Sequence, residues 1–397
     1  MTAKKTKLLH VVTGTQVGGA EIMMCRVLEN LSRDRFESVC VSLAPEGPLA
    51  GRIRAAGIPL ISLGMGGAMS LPAGLAKLVR VIRQERPDAV QTWMYHADFL
   101  GGLAARLCGV PAIWNIQHST HDDRGIKRST RALTALLAKL SRLLPKKIVC
   151  CAEASVEAHA AGGYDAGRMV TIYNGADTRA FAPDGAAAAA FRAAHGIPPE
   201  APVIGAAGRF HPQKDYPTFF EAALRLQMQR PDAHFVACGF GVEATNPAIA
   251  PFLARSPKPE NFHLLGARAD MAAIYPAFTI FTLCAAFGEG FPLCVGEAMA
   301  SGLPCATTEA GDCREIVGST GRVVAKRDPR AMAAAWGELL RLPAGDLAAL
   351  GRAARERIAI HFSLPRSIRQ YEALYAEVAA APPKSAAPLP AQLSPAR

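Results

Sequence analysis

The sequence of 397 residues lacks the cysteine patterns that hold metal ions or build disulfide frameworks. Its ten cysteines are scattered, with no Cys-x-x-Cys pair and no Cys/His spacing typical of a zinc site. We therefore expect no metal site. We predict that the cysteines are reduced and buried, as in a cytoplasmic protein.

The sequence also lacks an apolar run suited to crossing a membrane as a helix. Residues 57–76 and 271–288 are uncharged, but the first segment contains five glycines and two prolines, and the second contains Pro276. We interpret the second segment as a buried parallel strand with flanking loops. The N-terminus has no long apolar region of the kind found in signal peptides. Any membrane contact is therefore predicted to be peripheral.

Acidic residues are absent from one long basic segment. The chain carries 44 Lys+Arg against 33 Asp+Glu, a formal net charge of +11, which favours an anionic partner. Residues 124–147 contain no acid, and leucines recur among their cations, which are Arg124, Lys127, Arg128, Arg131, Lys139, Arg142, Lys146 and Lys147. This pattern predicts either an interfacial helix on an anionic membrane surface or an ordinary solvated helix packed on a sheet. Nucleic acid is not expected as a partner, since no recognition motif accompanies the charge.

Apolar strands alternate with amphipathic helices along the whole chain. The alternation predicts an α/β fold built from doubly wound parallel sheets. A first series of strands is predicted at 8–12, 38–43, 89–92, 112–116, 147–151 and 169–173. A second series is predicted at 203–207, 234–238, 262–265, 279–283, 304–308 and 321–324.

A break in composition separates the two series and predicts the domain organisation. We expect one domain at 1–180 and a second at 201–360, joined by a linker at 181–200. A helix is expected at 361–379. The Pro/Ala-rich tail at 380–397 is expected to be disordered.

Glycine-rich and basic turns follow the first strand of each series. In open parallel sheets, ligands bind at the carboxyl ends of strands, where such turns lead into helices. The first turn contains Gly18 and Gly19, although its spacing matches neither the dinucleotide fingerprint nor the P-loop. The second contains Arg209 and Lys214, whose cations suit a diphosphate. The alternative for the first turn is a plain tight turn. The alternative for the second is that Arg209 and Lys214 are two solvated surface charges.

Two carboxylates and a histidine follow other strands. Glu289 falls in the loop after the strand at 279–283, and Glu297 falls early in the next predicted helix. Both carboxylates could accept hydrogen bonds from sugar hydroxyls, although Glu297 could instead complement the helix dipole. His118 follows the strand at 112–116 and is either a structural histidine or a site residue.

These features together resemble the retaining GT-B glycosyltransferases of group 1. The resemblance covers nearly the whole chain, and its most specific part is Glu289-x7-Glu297 within Phe287-Gly288-Glu289-Gly290-Phe291-Pro292. The other matching motifs occur in the family's order and are Gly18-Gly19-Ala20-Glu21, Asn174-Gly175-Ala176-Asp177 and Gly208-Arg209 with Lys214. Asp215 departs from the Lys-Gly that is commoner in the family.

The resemblance implies two Rossmann-like domains that face each other across a cleft, with the final helix crossing back to the first domain. It implies that Arg209 and Lys214 bind the donor diphosphate without a metal ion, and that Glu297 binds the ribose. The donor sugar would then be held by the remaining motif residues, which are Glu289, Gly290, Phe291 and Pro292. Gly18 and Gly19 would lie near the phosphate, and His118 would line the acceptor side.

The resemblance also implies a function. We expect a retaining glycosyltransferase that moves a hexose from a UDP- or GDP-linked sugar, as a co-substrate, to a lipid-linked or oligosaccharide acceptor. Its pathway would build lipopolysaccharide, capsule or exopolysaccharide at the inner face of the plasma membrane. The alternatives are a nucleotide-sugar epimerase on the same fold and a non-catalytic sugar-nucleotide-binding subunit.

Overall fold

A seven-stranded parallel sheet organises the first half of the chain. The computed structural model describes residues 4–66, 71–119 and 128–380. The strand order is β3-β2-β1-β4-β5-β6-β7, so the chain winds outward in both directions from the β1/β4 pair. The strands are β1 (Thr6–Val12), β2 (Phe36–Ser42), β3 (Leu60–Ser62), β4 (Ala89–Trp93), β5 (Ala112–Ile116), β6 (Pro145–Cys150) and β7 (Met169–Thr171).

Helices connect these strands. They are α1 (Gly19–Asn30), α2 (Ala50–Ala55), α3 (Leu71–Glu85), α4 (Tyr95–Cys108), α5 (Arg128–Leu140) and α6 (Glu153–Ala161). Helix α3 ends just before Pro87, which cannot supply the N–H that a continuing helix needs. Helix α4 ends at Gly109, whose φ of 71° places it in the left-handed region that closes many helices.

A six-stranded parallel sheet organises the second half. Its order is β10-β9-β8-β11-β12-β13, with the same outward winding from the β8/β11 pair. The strands are β8 (Val203–Ala207), β9 (His234–Cys238), β10 (Phe262–Leu264), β11 (Ile280–Leu283), β12 (Cys305–Thr308) and β13 (Arg322–Val324). The helices are α7 (Gly185–Ala194), α8 (Tyr216–Gln227), α9 (Ala250–Ala254), α10 (Met271–Ile274), α11 (Leu293–Ala300), α12 (Cys313–Val317), α13 (Pro329–Leu340), α14 (Ala344–His361) and α15 (Leu364–Ala380).

Both faces of the second sheet are buried, which explains why its strands are continuous apolar runs. Phe219, Phe235 and Trp336 pack together on one face. The Trp336 indole N–H donates to Thr282 Oγ1 at 2.7 Å, so the buried ring keeps a polar partner. On the other face, Phe278 lies so close to Gly205 that a Cβ there would be 2.0 Å from its ring. Glycine at 205 is therefore a packing requirement.

The chain forms two compact units. The first unit comprises the residues up to Asn115, Leu140–Ile148 and the chain from Glu372 onward; the second comprises Ile116–Lys139 and Val149–Tyr371. Helix α15 thus begins in the second unit and ends in the first. Within the first unit, the Glu372 carboxylate accepts hydrogen bonds from the Ser32 N–H at 2.8 Å and the Arg35 guanidinium at 2.9 Å. The domain boundaries at 181–200 and 361–379 stay predictions.

The doubly wound α/β fold predicted from the sequence is confirmed, with two local corrections. Strand β3 falls within the Gly/Pro-rich segment 57–76, where no periodicity marks a strand. In the uncharged segment 271–288, helix α10 and a turn of 3₁₀-helix at Tyr275–Ala277 precede β11, so the interpretation as one strand with loops is wrong for its first third. Among residues 4–66, 71–119 and 128–380, no helix combines the length and apolarity needed to cross a membrane.

Three histidines meet at the amino-terminal edge of the second sheet. His234 Nδ1 and His263 Nε2 lie 3.0 Å apart, and the His195 ring lies 6.0 Å from that of His263. Burial, together with the two neighbouring imidazoles, lowers the pKa of His263 to about 4. A histidine in an unfolded chain titrates near 6.5. The folded protein therefore binds fewer protons here than the unfolded chain does between about pH 6.5 and 4.

This difference predicts a stability loss in acid. The contribution of the neutral His263 to the free energy of unfolding is fully present above about pH 6.5 and is lost as the pH falls toward 4. The free energy of unfolding changes there by at most about 1.4 kcal/mol per pH unit. We expect H263Q to flatten the dependence of Tm on pH in that window. H361Q, which changes an exposed histidine, is the control and should leave the dependence unchanged. Equal pH profiles for wild type and H263Q would contradict the prediction.

Candidate functional site

The point where the strand order reverses places two candidate loops side by side. In the second sheet this point lies between β8 and β11, which is where ligands bind in open α/β sheets. The loop after β8 carries Arg209 and Lys214, and the loop after β11 carries Glu289. The Ala286 N–H donates to the Gln213 carbonyl at 2.8 Å and joins the two loops directly.

Lys214 and Glu289 form a buried ion pair at this junction. Lys214 Nζ lies 2.6 Å from Glu289 Oε1, and the two side chains are only 17% and 7% exposed. Gln213 Nε2 donates to the same carboxylate oxygen at 3.1 Å. Burial alone would lower the pKa of Lys214, but the Glu289 carboxylate outweighs it and holds that pKa above its usual range. The ammonium is therefore fixed in place and charged.

Arg209 is the exposed cation of the same loop. Within the described part of the chain, no carboxylate forms an ion pair with it. Burial, with Arg209 and Lys214 nearby, lowers the pKa of His211 below its usual range. The loop after β8 thus presents one solvated and one buried cation toward the end of β11. Such a pair suits a ligand with two negative groups.

Glu297 lies on α11, which starts immediately after the loop that carries Glu289. It is the fifth of eight helical residues, so the expectation that it lies early in the helix is wrong. Its Oε2 accepts a hydrogen bond from the buried Tyr275 hydroxyl at 3.1 Å. Because the helix dipole acts mainly within the first turn, complementing it does not explain this carboxylate. The contact with Tyr275 is one that the sequence did not reveal.

His118 lies against the loop that contains Glu289. A Cβ at Gly288 would be 2.6 Å from His118 Nε2, and the φ of 76° at Gly288 also favours glycine. The hydroxyl of Ser119 donates to the carbonyl of Glu289. The second unit therefore brings His118, Lys214 and Glu289 together. Gln213 and Ser119 were missed because an isolated amide or hydroxyl carries no motif.

Gly290, Phe291 and Pro292 continue this loop to the start of α11. A Cβ at Gly290 would lie 2.4 Å from Cys151 Sγ and 3.0 Å from Ser155 Oγ, so the backbone here is closely enclosed. Phe291 is buried and packs near Phe362, with ring centroids 5.7 Å apart. Pro292 occupies the N-cap position of α11. Packing thus fixes the path of the backbone N–H groups that follow Glu289.

Gly18 and Gly19 belong to the first unit, at the end of the loop from β1 to α1, where Gly18 is the N-cap residue of α1 and Gly19 is its first residue. Strands β1 and β4 form the reversal point of their own sheet, so this loop also lies where a ligand is expected. A Cβ at Gly18 would be 2.4 Å from a carboxylate oxygen of Glu21, whereas nothing lies within 4 Å of one at Gly19. Met94, which follows β4, has a φ of 71°, a strained backbone conformation that is uncommon for a non-glycine residue.

The described residues contain no group of three or more His, Cys, Asp or Glu side chains arranged to hold a metal ion. Arg209 and Lys214 are two cations in the loop after β8, at the reversal point of the second sheet.

Two family patterns match the chain. The family described as "Glycosyl transferases group 1" matches residues 201–341, and "Glycosyltransferase Family 4" matches residues 17–180. The first match contains Arg209, Lys214, Glu289 and Glu297, and the second contains Gly18, Gly19 and His118.

Curated relatives and solved structures agree with these matches. The UDP-Gal:alpha-D-GlcNAc-diphosphoundecaprenol alpha-1,3-galactosyltransferase of Escherichia coli is 26% identical over 77% of this chain and 79% of its own length. The lipopolysaccharide core biosynthesis mannosyltransferase LpsB of Rhizobium meliloti is 29% identical over 51% of this chain and 59% of its own.

The fold matches that of Anabaena HepE in complex with UDP. The TM-score is 0.83 at 18% identity, with 94% of this chain and 100% of that chain covered. The lipopolysaccharide outer core galactosyltransferase WaaB has a TM-score of 0.66 at 15% identity, with 94% and 100% covered. The chain therefore belongs to the group 1 glycosyltransferases of family 4, which are retaining, metal-independent hexosyltransferases with the GT-B fold, and it transfers a sugar from a nucleotide sugar.

Proposed function

We propose that this glycosyltransferase moves a hexosyl group from a UDP-sugar to a lipid-linked glycan in the synthesis of a cell-surface polysaccharide. The buried Lys214–Glu289 pair beside Arg209 carries the donor part of the proposal. UDP is favoured over GDP because the Escherichia coli relative uses UDP-Gal and HepE binds UDP. A polyprenyl-diphosphate acceptor is favoured because the same relative acts on a diphosphoundecaprenol-linked sugar.

In this proposal each group of the site has one task. Arg209 and Lys214 bind the donor diphosphate, and Glu297 accepts hydrogen bonds from the ribose. Glu289 holds the donor sugar together with the backbone of Gly290, Phe291 and Pro292. Gly18 and Gly19 are assigned to phosphate binding, as the resemblance implies, and His118 lines the acceptor side.

The chemistry is a substitution at the anomeric carbon. The acceptor oxygen forms its bond to that carbon on the face that the diphosphate leaves, so the configuration is retained. The proton of the acceptor hydroxyl passes to the departing diphosphate oxygen on the same face. The electron pair of the broken C–O bond stays on the diphosphate, whose growing charge Arg209 and Lys214 stabilise. Lys214 suits this task because Glu289 keeps it charged and fixed before the reaction begins. An epimerase or a non-catalytic subunit, the two alternatives considered, would not need an acceptor at all.

The acceptor's membrane is proposed to contact the basic segment 128–147. Leu136 on α5 is 42% exposed and Leu143 is 67% exposed, although both are apolar. A solvated helix packed on a sheet accounts for the buried Leu137 but not for these two leucines. The exposed cations along the segment are Arg128, Arg131, Lys139, Arg142 and Lys146.

Two features refine the proposed membrane contact. Lys147 pairs with Glu377 at 3.2 Å and is therefore not counted among the docking cations. Arg124 and Lys127 lie outside the described residues. Apolar side chains surrounded by cations are typical of peripheral contact with an anionic leaflet, and we accordingly propose a location at the inner face of the plasma membrane.

The donor assignment predicts the effect of removing either cation. R209A and K214A should each lower kcat/KM for the nucleotide sugar by about 100-fold or more, because a charge that stabilises the leaving group is lost. R230A is a suitable control, since Arg230 is a surface residue of the same unit paired with Asp232. Transfer to a polyprenyl-diphosphate sugar is the measurement, with Tm recorded for each variant. Near-wild-type transfer by both site variants would refute the donor assignment.

The membrane assignment predicts the effect of charge reversal. A triple variant, K139E/R142E/K146E, should weaken sedimentation with vesicles containing anionic lipid by at least tenfold, since each cation near such a surface contributes about 1 kcal/mol. The matched control reverses three exposed arginines elsewhere and changes the net charge equally; it is R330E/R352E/R369E. Equal loss of binding in both triples would show a net-charge effect only, and no loss in the first would refute the proposed docking.

A further inference from the structure

The loop after β12 lies directly against two successive carbonyl groups, those of Glu289 and Gly290. Gly311 has a φ of 52°, and a Cβ there would lie 2.0 Å from the Glu289 carbonyl oxygen and 2.6 Å from that of Gly290. The next residue, Asp312, donates its backbone N–H to the Gly290 carbonyl at 3.2 Å. Glycine at 311 therefore allows a close approach whose result is a hydrogen bond from Asp312 to the loop that carries Glu289.

The side chain of Asp312 anchors it to a helix in a different part of the sequence. Its Oδ2 accepts a hydrogen bond from the Glu153 N–H at 2.7 Å, and its Oδ1 accepts one from the Ala154 N–H at 2.9 Å. All three residues lie in the second unit, and Asp312 is only 8% exposed. Hydrogen bonds from N–H groups at a helix start to a carboxylate are charge-assisted and short.

This anchor also serves as the cap of α6. Ala152 occupies the N-cap position and makes no side-chain hydrogen bond to the helix, so the adjacent sequence supplies no cap. The chain instead uses a carboxylate 158 and 159 residues away. The same two hydrogen bonds therefore cap α6 and hold Asp312 in place. Its backbone N–H is consequently held toward Gly290.

The two successive peptide bonds that follow Glu289 are thus each held by one hydrogen bond. Ser119 donates to the carbonyl of Glu289, and Asp312 donates to the carbonyl of Gly290. Lys214 meanwhile holds the Glu289 carboxylate. With both carbonyl oxygens engaged, the orientation of the N–H groups that follow them is also set.

We propose that Asp312 is a positioning residue of glycosyl transfer, which holds the peptide bond between Gly290 and Phe291 in the orientation that presents this loop to the donor sugar. The proposal rests on the proposed role of Glu289 and Gly290 in sugar binding. It separates two parts of the donor site. Binding of the nucleotide through Arg209, Lys214 and Glu297 does not depend on Asp312, whereas the transfer step does.

The test compares two helix caps of the same chemistry. Asp328 caps α13 by accepting a hydrogen bond from the Ala331 N–H at 2.8 Å, so D328A removes a cap outside the Glu289 loop. We expect D312A to lower kcat at least tenfold while the thermal shift produced by UDP changes less than twofold. D328A should keep kcat within twofold of wild type. D312N, which retains one acceptor oxygen, should give an intermediate kcat.

Hydrogen exchange of the ligand-free protein provides a readout that needs no donor. In D312A, the amides of Glu153 and Ala154 and the peptide covering 287–293 should exchange at least tenfold faster than in wild type. In D328A, only the start of α13 should be affected. A common increase across the whole second unit in D312A would indicate general destabilisation and overturn the positioning role.

The two readouts also separate this proposal from the proposed function. Equal losses of kcat in D312A and D328A, for variants of equal Tm, would overturn the role of Asp312. So would a thermal shift by UDP that decreases together with kcat in D312A. If wild type shows neither a UDP shift nor transfer, the proposed UDP-sugar function fails. Hydrogen exchange of the peptide 287–293 is then the remaining test of the role of Asp312, and unchanged exchange in D312A overturns that role.

Discussion

The donor site depends on one buried ion pair. Lys214 and Glu289 are both largely removed from water, and a lone buried charge at either position would be strongly destabilising. Together, and with the Gln213 amide on the same carboxylate, they form a satisfied group that joins the loops after β8 and β11. The pair therefore does two things at once: it keeps an ammonium charged inside the protein, and it fixes the relative position of two loops that are 75 residues apart in sequence.

Strand order explains why that pair can form. Each sheet winds outward from a central pair of strands, β1/β4 in the first and β8/β11 in the second. The loops after the central strands diverge to opposite faces and leave space between them at the carboxyl edge. Glycines then allow backbone segments to approach closely at this edge, as Gly288 does beside His118 and Gly311 does beside Glu289. The site is consequently a property of sheet topology, and its side chains come from loops that share no sequence neighbourhood.

The positive charge of the chain is divided among unlike tasks. Arg209 is solvated and Lys214 is buried, so two cations of one loop differ in how strongly they can act on a ligand. The basic segment 128–147 combines exposed cations with exposed leucines, whereas Lys147 is engaged by Glu377 near the end of α15. Net charge by itself distinguishes none of these cases, because burial and pairing decide what each cation can do.

Sequence alone determined the α/β class, the alternation of strands and helices and the family, because periodicity and turn motifs are local properties recorded residue by residue. It also placed Arg209, Lys214 and Glu289 in loops that follow strands. It missed β3, which has no periodicity, and it put Glu297 too early in α11 because helix starts are set by the preceding loop. Only the tertiary structure decided that Lys214 meets Glu289 and that Asp312 caps α6, since contacts across 75 and 159 residues follow from strand order and packing.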